Sequence, residues 1–178
     1  MAADSSTTHF ELFGLPPSFE VDLARLDSGY RELQRTLHPD RFVTASDLER
    51  RLSMQQATRV NEGYQTLRDP LKRGRYLLEL SGYRFDDQHH TTSDAAFLME
   101  QMELREKLES MHDLVDPDTV LDHLMDERAG DIKMHQAEFK AAYDQNDMPA
   151  AASACVKMQY LEKLQLEAEQ IEADLMDS

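Results

Sequence analysis

Leu37-His38-Pro39-Asp40-Arg41 separates two amphipathic helices, and its reading decides the fold. Upstream, Leu23, Leu26, Tyr30, Leu33 and Leu37 recur at steps of three and four, which marks one stripe of a helix for burial. Pro39 lacks an N–H and pushes His38 out of the α region, so the helix ends there and Asp40 follows in a loop. A rigid, exposed, polar corner is expected. By itself the corner reads equally as helix punctuation or as a functional feature. Downstream, Thr44 to Asp47 reads as loop and Ser46-Asp47-Leu48-Glu49 fits a capping box. The long helix that follows carries Leu52, Ala57, Val60, Tyr64 and Leu67 toward Leu26, Leu33 and Leu37, an antiparallel pair.

Short elements flank this hairpin. Thr8 is a good N-cap for a helix of His9 to Phe13, which Gly14, Pro16 and Pro17 stop. Asp22 caps the helix that leads to the corner. Asp69-Pro70 ends the long helix and starts another through Arg73, Tyr76, Leu77, Leu78 and Leu80, closed by Ser81-Gly82. Gly63 is an interior helical glycine, about 1 kcal/mol worse than alanine. At 100° per residue, Arg25, Ser28, Arg31, Glu32 and Arg35 lie opposite the apolar stripe. That face is basic, and it is either simply solvated or a docking surface.

Composition bounds the function. The chain has 178 residues and is 40% hydrophobic, enough for one large domain or two small ones. No apolar run approaches the roughly 20 residues of a membrane span. Met1 to Thr8 shows neither a secretory signal nor an Arg-rich transit peptide, which favours the cytoplasm. One cysteine, Cys155, excludes an internal disulfide and a multi-Cys zinc site, and its apolar surroundings read as a buried core position. The net charge of −16 is uneven: residues 1–85 carry 12 basic and 12 acidic residues, residues 86–178 carry 7 and 23. An acidic half repels phosphate backbones, so nucleic acid is not the expected partner.

The acidic half reads as helices. Tyr83 to Thr92 is a polar linker whose His89-His90 pair lacks the further ligands of a metal site. Ser93 or Asp94 caps a helix running to about Asp113. Asp116-Pro117 opens a second, to about Asp144, with Leu121, Leu124, Met125, Ile132, His135, Phe139 and Ala142 inward and Gly130 as a loosening point. Asp147 and Pro149 open a third, ending near Met176. Three long helices on short turns form an antiparallel bundle. On the first of them Phe97, Leu104, Leu108, Met111 and Val115 make the core stripe, whereas Leu98, Met99 and Met102 lie well off it beside Glu103 and Glu106. This acid-edged apolar patch either packs against the first region or binds a protein, for which methionine is well suited.

Residues 8 to 80 contain, in order, Phe10-Glu11-Leu12-Phe13-Gly14-Leu15, Tyr30-Arg31-Glu32-Leu33 with His38-Pro39-Asp40-Arg41, and Val60-Asn61-Glu62-Gly63-Tyr64 with Leu67-Arg68-Asp69-Pro70. This order and spacing resembles a J-domain. The resemblance implies a co-chaperone that stimulates ATP hydrolysis by a DnaK-type chaperone, with His38, Pro39 and Asp40 as the signalling corner and Arg25, Arg31, Arg35 and Arg41 as docking residues. Gly63 departs from the alanine common in that family. The run from Ala96 to Glu106 and the three-helix second half further resemble the HscB family of iron–sulfur cluster assembly. That likeness implies an all-α chain, J-domain 8–82, linker 83–92 and scaffold-binding bundle 93–178. It implies the partners HscA, the chaperone, and IscU, the cluster scaffold, with Leu98, Met99, Met102, Glu103, Glu106 and Tyr160 as scaffold-binding residues. Ser110 departs from an acidic position there. Neither cofactor nor catalytic residue is expected on this chain. A general J-protein with another client is the alternative, and an enzyme built on His38 or His89-His90 lacks the nucleophile and ligand sets it would need.

Overall fold

The computed structural model describes residues 7–42, 45–84, 94–111 and 116–176, and among them there is helix but no strand. The expected linker beyond Arg84, with His89-His90, and Val115 lie outside the described residues. The chain divides into two compact units, Met1–Ser81 and Gly82–Ser178.

In the first unit, α1 (His9–Leu12), α2 (Leu23–Leu37), a 3-10 turn (Pro39–Phe42), α3 (Asp47–Arg68) and α4 (Pro70–Leu80) follow one another. Their starts are set by the expected side chains: Thr8 and Ser46 form capping boxes with Glu11 and Glu49, while Asp22 and Asp69 each accept an amide of the first turn. α3 is the axis against which α1, α2 and α4 pack. The core gathers Phe10, Phe13, Leu15, Phe19, Leu26, Val60, Leu67, Leu71, Leu77 and Leu78. Each such side chain contributes of order 1.5–3 kcal/mol by leaving water.

Three details depart from the sequence reading. Phe13 caps α1 rather than continuing it. Leu23 and Leu52 are 47% and 42% exposed: Leu23 is the first residue of α2, and on α3 the helical phase turns Ser53 rather than Leu52 inward. Asp40 lies in a 3-10 turn, not an open loop. The α2–α3 seam is also half polar. The Tyr30 and Tyr64 rings stack 3.9 Å apart, the Tyr64 hydroxyl donates to Asp27 (2.8 Å) and the Tyr30 hydroxyl donates to Asn61 (3.0 Å).

Arg73 and Gly63 show how tightly this unit is assembled. Buried Arg73 donates to the carbonyls of Leu67, Phe19 and Arg68, so it binds the α3–α4 joint to the loop before α2. A Cβ on Gly63 would lie 3.0 Å from His9 Nδ1 and 3.3 Å from Phe13. Glycine is needed there for the close approach of α1.

The second unit contains α5 (Ala95–Glu109), α6 (Pro117–Asp144) and α7 (Met148–Met176). Asp94 and Asp116 cap α5 and α6. α6 and α7 form a long antiparallel hairpin whose turn places Asn146 at φ 59, a left-handed conformation that asparagine tolerates. α5 packs on α7. One core cluster joins Leu104, Leu108 and Met111 of the α5 segment to Leu121 and Leu124 of α6 and Leu164 and Ala168 of α7. Cys155 is fully buried, as its pattern predicted. α5 ends at Glu109, four residues short of the expected Asp113, with Ser110 as its cap. α6 runs unbroken through Gly130, so the expected loosening is not seen. On α6, Leu121, Leu124, His135 and Phe139 are buried while Met125, Ile132 and Ala142 are half-buried. Gln101 and Arg128 are buried too, which periodicity does not reveal.

Candidate functional site

The corner is built by the end of α2. His38 is extended (φ −59°, ψ 132°), as a residue before proline must be, and the turn is closed by the Arg41 amide donating to the His38 carbonyl at 3.0 Å. The Asp40 amide lies 3.4 Å from His38 Nδ1, and the Asp40 carboxylate lies 3.5 Å from the same nitrogen. The His38 and Asp40 side chains are 60% and 86% exposed. Nothing in this geometry activates a nucleophile; it presents two polar side chains on a short, stiff turn.

Arg31, Gln34, Arg35, Leu37 and His38 line one side of a groove of about 530 Å³, and Ala57, Val60 and Asn61 of α3 line the other. The structure therefore brings Arg31 and Arg35 together with His38. Arg25 is not part of this groove: it lies at the opposite end of α2 and donates to the Gly14 carbonyl at 2.6 Å. Arg41 is exposed on the 3-10 turn. What holds the groove is the α2–α3 seam, in which Gln34 donates to the Tyr30 hydroxyl (2.6 Å) and Arg68 pairs with Asp27 (2.9 Å). Sequence reading counted both tyrosines as apolar seam positions; the wider signal was the polar residues Asp27, Gln34, Asn61 and Arg68 at matching helical steps.

On α5, Met99 and Met102 are 63% and 66% exposed, Leu98 is half-buried, and Glu103 and Glu106 are exposed beside them. The inward side of the same turn is anchored by Phe97. Its ring meets His135 edge-on at 5.8 Å and Tyr160 edge-on at 6.1 Å, and Lys157 Nζ lies 5.5 Å from its centre. Tyr160, half-buried on α7, thus contacts the inward side of α5 through Phe97, and no contact joins it to Leu98, Met99 or Met102 among the described residues. Two ion pairs bracket the patch: Lys157 to Asp94 at 2.9 Å, and Arg105 to Glu167 through two bonds of 2.9 and 3.1 Å. The Lys157 bond, followed by the Phe97 amide, holds the Asp94 carboxyl below its ordinary range. The Asp94 cap was legible in sequence, but neither cross-helix pair was.

Among the described residues no cluster of three or more His, Cys, Asp or Glu side chains is placed to hold a metal ion, and no helix is long and apolar enough to cross a membrane.

A helical unit with a His-Pro-Asp corner between its α2 and α3, followed in the chain by a three-helix unit, is the architecture of the J-type co-chaperones. Residues 93–169 match the family model described as the HSCB C-terminal oligomerisation domain. The co-chaperone protein HscB homolog of Shewanella loihica is 42% identical over 167 residues, covering 92% of this chain and 96% of the relative. The chaperone HscB from Vibrio cholerae superposes with a TM-score of 0.85 at 41% identity, covering 95% of this chain and 99% of that one. Human co-chaperone protein HscB gives a TM-score of 0.88 at 31% identity, covering 100% and 87%. The chain belongs to the HscB family of co-chaperones.

Proposed function

We propose that this co-chaperone binds the iron–sulfur scaffold IscU on the α5 patch, delivers it to the DnaK-type chaperone HscA, and stimulates that chaperone's ATP hydrolysis in the cytoplasm during cluster assembly. The observation that carries the reading is the pairing, in one chain of this family, of two exposed surfaces of opposite character. One is the polar corner with Arg31 and Arg35 beside His38; the other is the methionine patch edged by Glu103 and Glu106.

The chemistry required of this chain is binding alone. Stimulation follows if the partner's active conformation takes the corner more tightly than its resting one, and tenfold needs only about 1.4 kcal/mol of difference. The exposed arginines speed and orient docking on an acidic surface, so chaperone engagement weakens with salt. The scaffold contact rests on apolar area and responds less. The family model's description as an oligomerisation domain fits a second unit made for assembly with other proteins.

The test measures HscA ATP turnover with this protein, with and without IscU. Stimulation that rises with the scaffold supports the adaptor. Stimulation indifferent to IscU leaves a J-protein serving another client.

A further inference from the structure

α5 carries apolar residues on two sides, so its rotation about its own axis decides which side a partner meets. Leu98, Met99 and Met102 face out while Phe97 and Leu104 are buried, and a turn of one residue would mix the two sets. The core cluster of the bundle takes Leu104, Leu108 and Met111 from the α5 segment. The patch begins before that cluster, on the turn opened by Asp94 and Phe97.

At that turn one side chain of α7 makes two contacts. Lys157, 18% exposed, donates from Nζ to Asp94 Oδ2 at 2.9 Å, and the same nitrogen lies 5.5 Å from the centre of the Phe97 ring. Asp94 Oδ1 accepts the Phe97 amide at 3.1 Å and so starts the helix. The carboxylate therefore divides its oxygens between the backbone of α5 and the ammonium of α7. Tyr160, one turn beyond Lys157, and His135 of α6 both meet the Phe97 ring edge-on. A cation over its face and rings at its edge settle where Phe97 points, and the residues next to it on the helix follow. Arg105–Glu167 ties a later turn of α5 to the same helix, but its side chains are 52% and 45% exposed, so Lys157 makes the more sheltered tie.

We propose that Lys157 is the positioning residue of the patch: by holding the Asp94 cap and the Phe97 ring from α7, it sets the helical phase of α5 that turns Leu98, Met99 and Met102 outward. The methionine side chains adapt to the partner; the backbone beneath them is held. Without the ammonium the first turn of α5 is no longer confined to one phase, and affinity falls in proportion to the competent fraction. This rests on the reading of the patch as the IscU site.

Calorimetric titration of purified IscU into the full-length protein tests it. Lys157→Met keeps the apolar stem and removes the charge, and it is expected to weaken IscU binding about three- to fivefold, the scale of one partly exposed ion pair. Lys157→Arg, which can reach the same carboxylate and ring, is expected to bind within about twofold of wild type. Asp94→Asn keeps a good helix cap but loses the ion pair, and is expected to weaken binding as Lys157→Met does. Combining the two should cost no more than the larger single loss, because they remove one contact. With wild type binding IscU, unchanged affinity of Lys157→Met overturns the proposal and leaves the adaptor function standing. Losses that add in the double variant also overturn it, as does an equal loss in Lys157→Arg, the pattern of a merely structural residue. A wild-type protein that does not bind IscU overturns both.

Discussion

Around α3, side-chain hydrogen bonds join neighbouring elements, whereas α5 is tied to α7 by two ion pairs. In the first unit Arg59 donates to the Thr7 carbonyl, Tyr76 accepts from the His9 amide, Tyr64 reaches Asp27, and Arg73 closes the joint with α4. In the second unit Asp94–Lys157 and Arg105–Glu167 flank a turn whose inward Gln101 amide has no hydrogen-bond partner among the described residues. The difference suits the two tasks proposed for these surfaces. A corner that signals through a few side chains must be stiff; a methionine surface that fits another protein works best with some give.

The contrast can be broken by substitution, beginning with the largest expected effect. Arg73→Met leaves three carbonyls unpaired in the first unit and is expected to lower its stability by about 2–4 kcal/mol in urea unfolding. A loss below about 0.5 kcal/mol would show that the polar ties are incidental. In the second unit, replacing Leu98, Met99 and Met102 with alanine is expected to weaken IscU binding more than tenfold, about 1.4 kcal/mol, while helicity is kept. Unchanged affinity would remove the patch as the docking surface.

One substitution sharpens the comparison because it changes sign. Gly130→Ala, where nothing lies within 4 Å of the new methyl, should stabilise by up to about 1 kcal/mol. Gly63→Ala gains the same helix propensity but forces the methyl against His9 and Phe13, so about 1 kcal/mol of net destabilisation is expected. Two stabilising results would mean that α1 is not tightly seated.

The smallest effect is one of pH. Burial, aided by Arg59 and opposed by Glu62 and Glu79, pushes the His9 pKa below its ordinary value. The unfolded chain then takes up the proton first as pH falls, so this contribution is whole above about pH 6.5 and is lost as pH drops through the lowered folded value. Unfolding midpoints measured from pH 7.5 to 5 should fall faster for wild type than for His9→Gln. Parallel curves would contradict the desolvated seat.

Much of this was legible in the residues, and the limits have physical causes. Thr8, Asp22, Ser46, Asp69, Asp94 and Asp116 act locally, within three residues of the amides they bind, so every one of these caps could be read from the chain. Met99 and Met102 were legible as a patch because helical phase separates them from Phe97 and Leu104. Arg73, Gln101 and Arg128 were not, since a long polar side chain is buried only when distant groups happen to meet it. Gly63 looked like a weakness, and only the packing of α1 across it shows the need. Arg25 shared a helical face with Arg31 and Arg35, yet the loop at Gly14 takes it away from the corner.

The most direct test of the account is steady-state ATP hydrolysis by HscA, comparing wild type with His38→Gln, each with and without IscU. The account predicts stimulation by the wild type that rises further with IscU, and none by His38→Gln, although the variant still binds IscU as tightly as wild type. Stimulation retained by His38→Gln would contradict the corner's role and, with it, the division of labour between the two units.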